Sequence, residues 1–358
     1  MRRFVFAAIG TCLGTSLISP GLAWASESSS GCTYSGGTYY NCDTANVTKS
    51  AGAEVDSGAN RSAATVTTVA VSNQVSRSLS PSTRQRSALG ETGVSGGDDE
   101  LRYSLWGALG ATSLSSTVVG AAFSGTAGSQ TVGFDMVLNQ NLVVGVAAFH
   151  ESNTFETDFN AGRLDSNGYS LVPYVGYDFG QGTSIDGLIG LTWTDNDASR
   201  ASGTAQGHYN GYRAMAAANA HHGFELAPEW RLRGDFGMIW AYSDNDSYTE
   251  TGPAARQQAG STSHLVQAKA GGRLSYLWGQ IEPFAALYYA YDLVHDYVGA
   301  DGTGGNRGGS DDADEAQIYA GLDWFPTDTE SVGLEFNRVV GRDRTSAMGV
   351  LMNARLRF

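Results

Sequence analysis

From Leu101 to Phe358 the chain repeats one pattern twelve times: apolar and polar residues alternate with a period of two over ten or more positions. The final segment shows it most plainly. Met348, Val350, Met352, Ala354, Leu356 and Phe358 alternate with Gly349, Leu351, Asn353, Arg355 and Arg357. Trp230, Leu232, Phe236, Met238, Trp240 and Tyr242 oppose Arg231, Arg233 and Asp235 in the same way, and Val266, Ala268, Ala270, Leu274 and Tyr276 oppose Gln267, Lys269 and Arg273. A pleated strand sends successive side chains to opposite faces, so each segment has one greasy and one polar surface. A soluble sandwich would alternate too, but these segments exceed the usual five or six residues of a soluble strand and suit a tilted crossing of a hydrocarbon layer. Tryptophans sit near segment ends, Trp193 and Trp240 at one side and Trp230, Trp278 and Trp324 at the other, as two interfacial girdles require. The expectation is an all-β fold, a transmembrane antiparallel β-barrel of twelve strands.

The connections test this independently. After odd-numbered segments the links read as long and polar, at about 113–127, 153–166, 195–207, 244–261 and 295–314. The link Gly341 to Arg344 is a short exception. After even-numbered segments they are short: Asn139 to Asn141, Gly180 to Gly182, Glu225 to Pro228, Trp278-Gly279 and Pro326 to Asp328. Long outer loops opposite short periplasmic turns are the signature of outer-membrane barrels.

Composition agrees. The chain has 47 glycines, only 7 prolines and 16% charged residues, with 41% hydrophobic content that excludes wholesale disorder. Acidic residues number 36 against 22 basic ones, and Lys49 and Lys269 are the two lysines, so a surface gripping nucleic acid is excluded. Residues 1–25 read as a signal peptide for the Sec export pathway: Arg2 and Arg3, an apolar run from Phe4 to Gly14, then Ala23-Trp24-Ala25. Cys12 leaves with it, and Cys32 and Cys42 are expected to form a disulfide in an oxidising compartment. After residue 25 no apolar stretch is long enough for a spanning helix. Residues 26–100 are rich in Ser, Gly, Thr and Ala. Val71, Val75 and Leu79 recur at helical spacing before Pro81, which predicts a helix over about 60–80, although the composition also fits a disordered linker.

Three stretches resemble the C-terminal translocator domain of autotransporters. They are Gly271-Gly272-Arg273-Leu274-Ser275-Tyr276 with Gly279 to Phe284 and Tyr289-Ala290-Tyr291-Asp292; Val144 to Phe149 with Ser152 and Phe155; and the close Arg355-Leu356-Arg357-Phe358. The resemblance covers about 101–358. It implies a Gram-negative outer-membrane protein whose barrel is threaded by an N-terminal helix, with residues 60–100 as lumen helix and linker and 26–59 as a short passenger-like segment holding the Cys loop. It also implies that Phe358, with Leu356, is the signal read by the barrel-assembly machinery, and that the surroundings are outer-membrane lipid and lipopolysaccharide. The mature N-terminal part is far shorter than the family's large β-helical passengers, and no adjacent Asn pair for self-cleavage is present in the helix. Alternation puts Arg213, Arg231, Arg233, Lys269, Arg273, Arg355 and Arg357 on the lumen face with Asp135, Asp178, Asp186, Asp235, Glu282, Asp292, Asp323 and Glu335. These acids offer partners to the helical segment, which is free of acidic residues from 57 to 90.

Chemistry is sparse. Gly93-Val94-Ser95-Gly96-Gly97 has a nucleophile-elbow pattern but lies in an acidic, Gly-rich linker. His150 and Ser152 fall on one outward strand face with no orienting third group identifiable. The Asp195-Asn196-Asp197, Asp244-Asn245-Asp246 and 311–315 acidic runs read as solvated loops, with divalent-ion bridging to lipopolysaccharide as the alternative. His221 and His222 point to opposite faces and share no metal. No catalytic residue, metal or cofactor is expected. The reading is a barrel that translocates or displays its own N-terminal segment, against two alternatives, a plugged passive pore and a lipid-active hydrolase.

Overall fold

In a computed structural model, the structure describes residues 33–35, 38–40, 52–79, 102–117, 122–298, 304–306 and 313–358. The signal peptide, Cys32, Cys42 and the Gly93–Gly97 motif lie outside them. Twelve long strands follow one another: β1 Tyr103–Ser116, β2 Phe123–Asn139, β3 Leu142–Thr157, β4 Gly162–Gly180, β5 Thr183–Arg200, β6 Ala205–Glu225, β7 Trp230–Asn245, β8 Ser261–Tyr276, β9 Ile281–Val298, β10 Asp314–Trp324, β11 Glu330–Val340 and β12 Thr345–Arg357. Each pairs antiparallel with its sequence neighbours. The sheet closes where β12 pairs with β1, from Thr345 opposite Ser116 to Arg357 opposite Ser104. Tyr103 and Phe358 add reciprocal backbone hydrogen bonds of 3.0 and 2.9 Å at that seam. Closure leaves no barrel edge with unpaired backbone groups, which a hydrocarbon environment demands.

The alternation holds in space. Along β12 the odd residues from Thr345 to Arg357 face inward and the even ones outward, so Met348, Met352 and Phe358 are exposed while Leu351, Asn353 and Arg355 are buried. Both proposed aromatic girdles are exposed: Trp193 and Trp240 toward the loop end, and Trp230, Trp278 and Trp324 toward the turn end.

Several links expected to be long loops are instead paired strand. The Asp195-Asn196-Asp197 run belongs to β5, with Asp197 opposite His208, and β3 and β4 stay paired out to Thr157 and Gly162. Outside the membrane both faces of a strand are wet, so polar residues on both sides hide the period of two while the backbone ladder continues. Between β7 and β8 a small hairpin, Tyr248–Thr249 with Gln257–Gln258, folds back onto β6, anchored by the buried ion pair of Arg200 with Glu250 at 2.5 Å.

Among the described residues an α-helix, α1, runs from Gly52 to Leu79 inside the barrel. It starts about two turns earlier than the 60–80 expected from the Val71, Val75, Leu79 spacing. Its first turns carry small and polar residues that give no periodic signal. It ends two residues before Pro81, consistent with the bias of a pre-proline residue away from helix. At about 42 Å it is longer than a hydrocarbon layer of about 30 Å and matches the roughly 40–45 Å of a bilayer with its headgroup regions.

Candidate functional site

Most of the buried charge among the described residues lies in the lumen, which α1 occupies. The helix has a fixed direction. Gly58 lies against Phe123 near the loop end, and Arg77 meets Arg357 at the turn end, where β1 begins and β12 finishes.

One flank of α1 is apolar. Ala64, Ala70, Val71, Val75 and Leu79 pack on Val143, Ala147, Val172, Leu188, Met215, Ile239 and Leu265. The inner wall of β3 to β8 is therefore less polar than simple alternation predicts. Val143, Ala147 and Phe149 face α1 while Val144, Val146 and Ala148 face outward, because a strand covered by lipid on one side and by a helix on the other is buried on both. Gly176 lets the helix approach closely, its Cα lying beneath Val75. At the loop end Val55 enters a collar of Leu114, Phe123, Phe155, Phe159, Leu164, Ala198 and Tyr209.

The polar contacts form three tiers. At the loop end Asn60 donates to Ser263 at 2.8 Å, and the Arg61 guanidinium pairs with Asp292 and lies 3.6 Å from Glu315. Arg342 binds the same two carboxylates, at 2.9 and 2.5 Å, and Gln267 donates to Asp292 at 2.9 Å. In the middle the Ser72 hydroxyl donates to Asp186 at 2.8 Å. His221 sits between Asp186 and Asp235, 2.6 Å from each, and Tyr288 donates to Asp235 at 2.6 Å. At the turn end Arg77 pairs with Asp323 and bonds Asn353, while Arg273 reaches the other Asp323 oxygen at 2.7 Å. Arg355 donates to Asp135 at 2.7 Å and to the Gln74 carbonyl at 2.7 Å, and Arg357 donates to the Arg77 carbonyl at 2.6 Å. The last four carbonyls of a helix lack intrahelical donors, and that of Arg77, one of the four, is met by Arg357, while the partial negative charge of this end also suits Arg355 one turn earlier.

The remaining inward residues pair within the wall or line its mouth. Arg213 holds Glu151 at 2.5 Å, Arg233 lies 2.8 Å from Asp235, Lys269 lies over the Tyr288 ring at 4.8 Å, and Arg231 and Glu282 border the turn-end opening. Asp178 caps its own turn, accepting from the Gly180 amide at 2.8 Å. Sequence reasoning missed Glu315 and Arg342. Extending the alternation of Asp323, Tyr319 and Gln317 by one more step reaches Glu315, which had been read as part of a loop run. Arg342 lies on a tight link with no periodicity to reveal it.

The other candidates lie elsewhere. His150 and Ser152 face outward, and the His150 ring lies tilted against that of Tyr169 at 4.9 Å between ring centres. No hydrogen bond joins His150 to Ser152 among the described residues, and neither approaches the lumen. Asp195, Asp197 and His208 gather on the exposed outer face, with His208 3.1 Å from Asp197, while Asn196 between the two acids turns inward. Phe358 is exposed at the closing seam, 6.1 Å from the Tyr103 ring, and Leu356 shares its outward face.

The arrangement is a charged tube occupied by a helix, in which the Ser72 hydroxyl lies 3.4 Å from His221 Nε2 but donates to Asp186. A family model for the autotransporter beta-domain matches residues 105–337. The translocator domain of the autotransporter NalP from Neisseria meningitidis superposes with a TM-score of 0.60 at 17% identity, over 82% of this chain and 98% of that one. The beta domain of the Bordetella autotransporter BrkA gives 0.58 at 14%, over 72% and 100%. The transport unit of AIDA-I from Escherichia coli gives 0.55 at 14%, over 77% and 96%. No curated protein matches by sequence.

Proposed function

Because the chain belongs to the autotransporter beta-domain family, and so to the outer membrane of Gram-negative bacteria, we propose that its barrel carries its own N-terminal segment outward and holds it at the cell surface. The direction of α1 carries this reading. Its first residues lie at the loop end and its last at the turn end, beside both barrel termini. On this reading the segment that precedes Gly52 leaves by the outer mouth, and a chain delivered from the periplasm reaches that side by passing through the lumen. The helix is what remains of that passage, clasped by Asp292, Asp186, Asp135 and Asp323.

On this reading residues 26–51 are the displayed segment. It contains a two-stranded hairpin, Thr33–Ser35 with Thr38–Tyr40, flanked in sequence by Cys32 and Cys42, which we propose are joined. Such a small loop fits a pore that also accommodates a helix about 10–12 Å across. Export by the Sec pathway and insertion by the barrel-assembly machinery, reading Phe358 and Leu356, belong to the same proposal, as do lipid and lipopolysaccharide around the exposed face. An epitope inserted beside Thr38 tests it. Labelling of intact cells is the expected result, and labelling only after the outer membrane is permeabilised refutes it.

A further inference from the structure

On the outer face of the barrel, just beyond the loop-end girdle, β5 and β6 bring two carboxylates and an imidazole together. Asp195 and Asp197 are two apart on β5, so the pleat gives them one face, and His208 of β6 stands opposite Asp197 in the ladder. Trp193, the next outward residue toward the membrane, belongs to the girdle, so the three groups lie on its water side. His208 Nδ1 is 3.1 Å from Asp197 and its Nε2 is 3.7 Å from Asp195. Each of the three residues offers a ligand atom within 4.8 Å of those of the other two. Ligand atoms about 2.0–2.2 Å from a tetrahedral zinc ion stand roughly 3.3–3.6 Å apart. Rotation of three exposed side chains closes that gap, while the ladders of β4 with β5 and β5 with β6 hold the backbone.

The neighbouring acid is neutralised by protein, and these two are not. Asp165 of β4, opposite Asp197 on its other side, takes a two-point contact from Arg163 at 2.7 and 2.9 Å and a hydrogen bond from Thr154 at 2.7 Å. Asp195 faces Asn167 and Asn210 across its ladders, and neither Asp195 nor Asp197 meets an arginine or lysine among the described residues. Like charges side by side on one sheet face repel, and one imidazole does not cancel two carboxylates. The imidazole also decides the kind of ion. Calcium and magnesium take oxygen ligands, whereas a nitrogen beside carboxylates suits zinc and its neighbours in the first transition row. Calcium bridging to lipid phosphates needs no histidine.

We propose that Asp195, Asp197 and His208 bind one divalent ion of the zinc class on the outer surface of the barrel, joining the two strands of this hairpin. The site stands whether or not the N-terminal segment is exported.

The test is calorimetric titration of zinc chloride into the full-length, untagged protein in detergent after chelator treatment, with the visible absorption of added cobalt(II) as a second readout. One ion per chain is expected, with cobalt bands of nitrogen and oxygen coordination. His208→Ala and Asp197→Asn should each weaken binding by about tenfold or more. His150→Ala and His264→Ala, which remove other outward histidines, should leave the affinity unchanged. All four positions lie on the outer face, so the barrel should fold, and heat-modifiable gel migration verifies it. Absence of saturable zinc uptake overturns the proposal, as does unchanged affinity in His208→Ala or calcium binding as tightly as zinc.

Discussion

Gly176→Ala should loosen the helix in its barrel. An added Cβ at this inward position of β4 overlaps the Val75 Cγ1 atom and stands 3.0 Å from Leu79 Cδ1. Ordinary carbon contacts are about 3.5–4.0 Å, so α1 must withdraw or the strand must bow. Both responses are resisted. The strand is pinned by antiparallel ladders on each side, and α1 is tied at the same level by Arg77 to Asp323 and by Arg355 to the Gln74 carbonyl. Overpacking of this kind costs about 1–3 kcal/mol. At about 2 kcal/mol the ratio of docked to undocked helix falls roughly thirtyfold. Alkylation of a cysteine placed at Ser72, buried against Asp186, reads the undocked fraction directly. Val75→Ala in the same chain removes the overlapping methyls and should restore much of the protection. Two results refute the reasoning: protection unchanged by Gly176→Ala alone, or no recovery in the double variant.

Two further outcomes follow from the outer surface. Ile189 is 62% exposed midway along β5, and an arginine there should cost about 2–4 kcal/mol of folding stability in lipid vesicles, measured by urea titration; a neutral effect would mean that this face does not meet hydrocarbon. Deleting Phe358 removes the ring beside Tyr103 and two closing backbone hydrogen bonds, so membrane insertion followed by heat-modifiable gel migration should drop, and normal migration would count against its assembly role.

How much of this was readable before folding depends on the residue. Parity alone separates the Met348, Val350, Met352 face from the Arg355, Arg357 face, because the pleat leaves a strand only two sides. The short turns at Asn139 to Asn141 and Gly180 to Gly182 were visible through their turn residues, and their alternation with outer links ordered the strands around the barrel. Outer strand lengths were not readable, since Asp195 and Asp197 in water look like loop although their backbone is paired. The apolar inner wall was hidden for the opposite reason. Val143 and Val144 are both greasy, one for helix and one for lipid, so the period of two vanishes there.

Local physics therefore settled the class of fold, its strand count and which side of each strand carries charge, for these follow from side-chain direction along a chain segment. Partner choice belonged to the folded molecule. Arg61 meets Asp292 across 231 positions and Arg77 meets Asp323 across 246, contacts that exist only once strand register and helix depth have been fixed together. Alternation could place Asp292 and Asp323 on the inner face. The depth at which the helix seats, set by Val55 in its collar and Val75 over Gly176, decided which arginine each would hold.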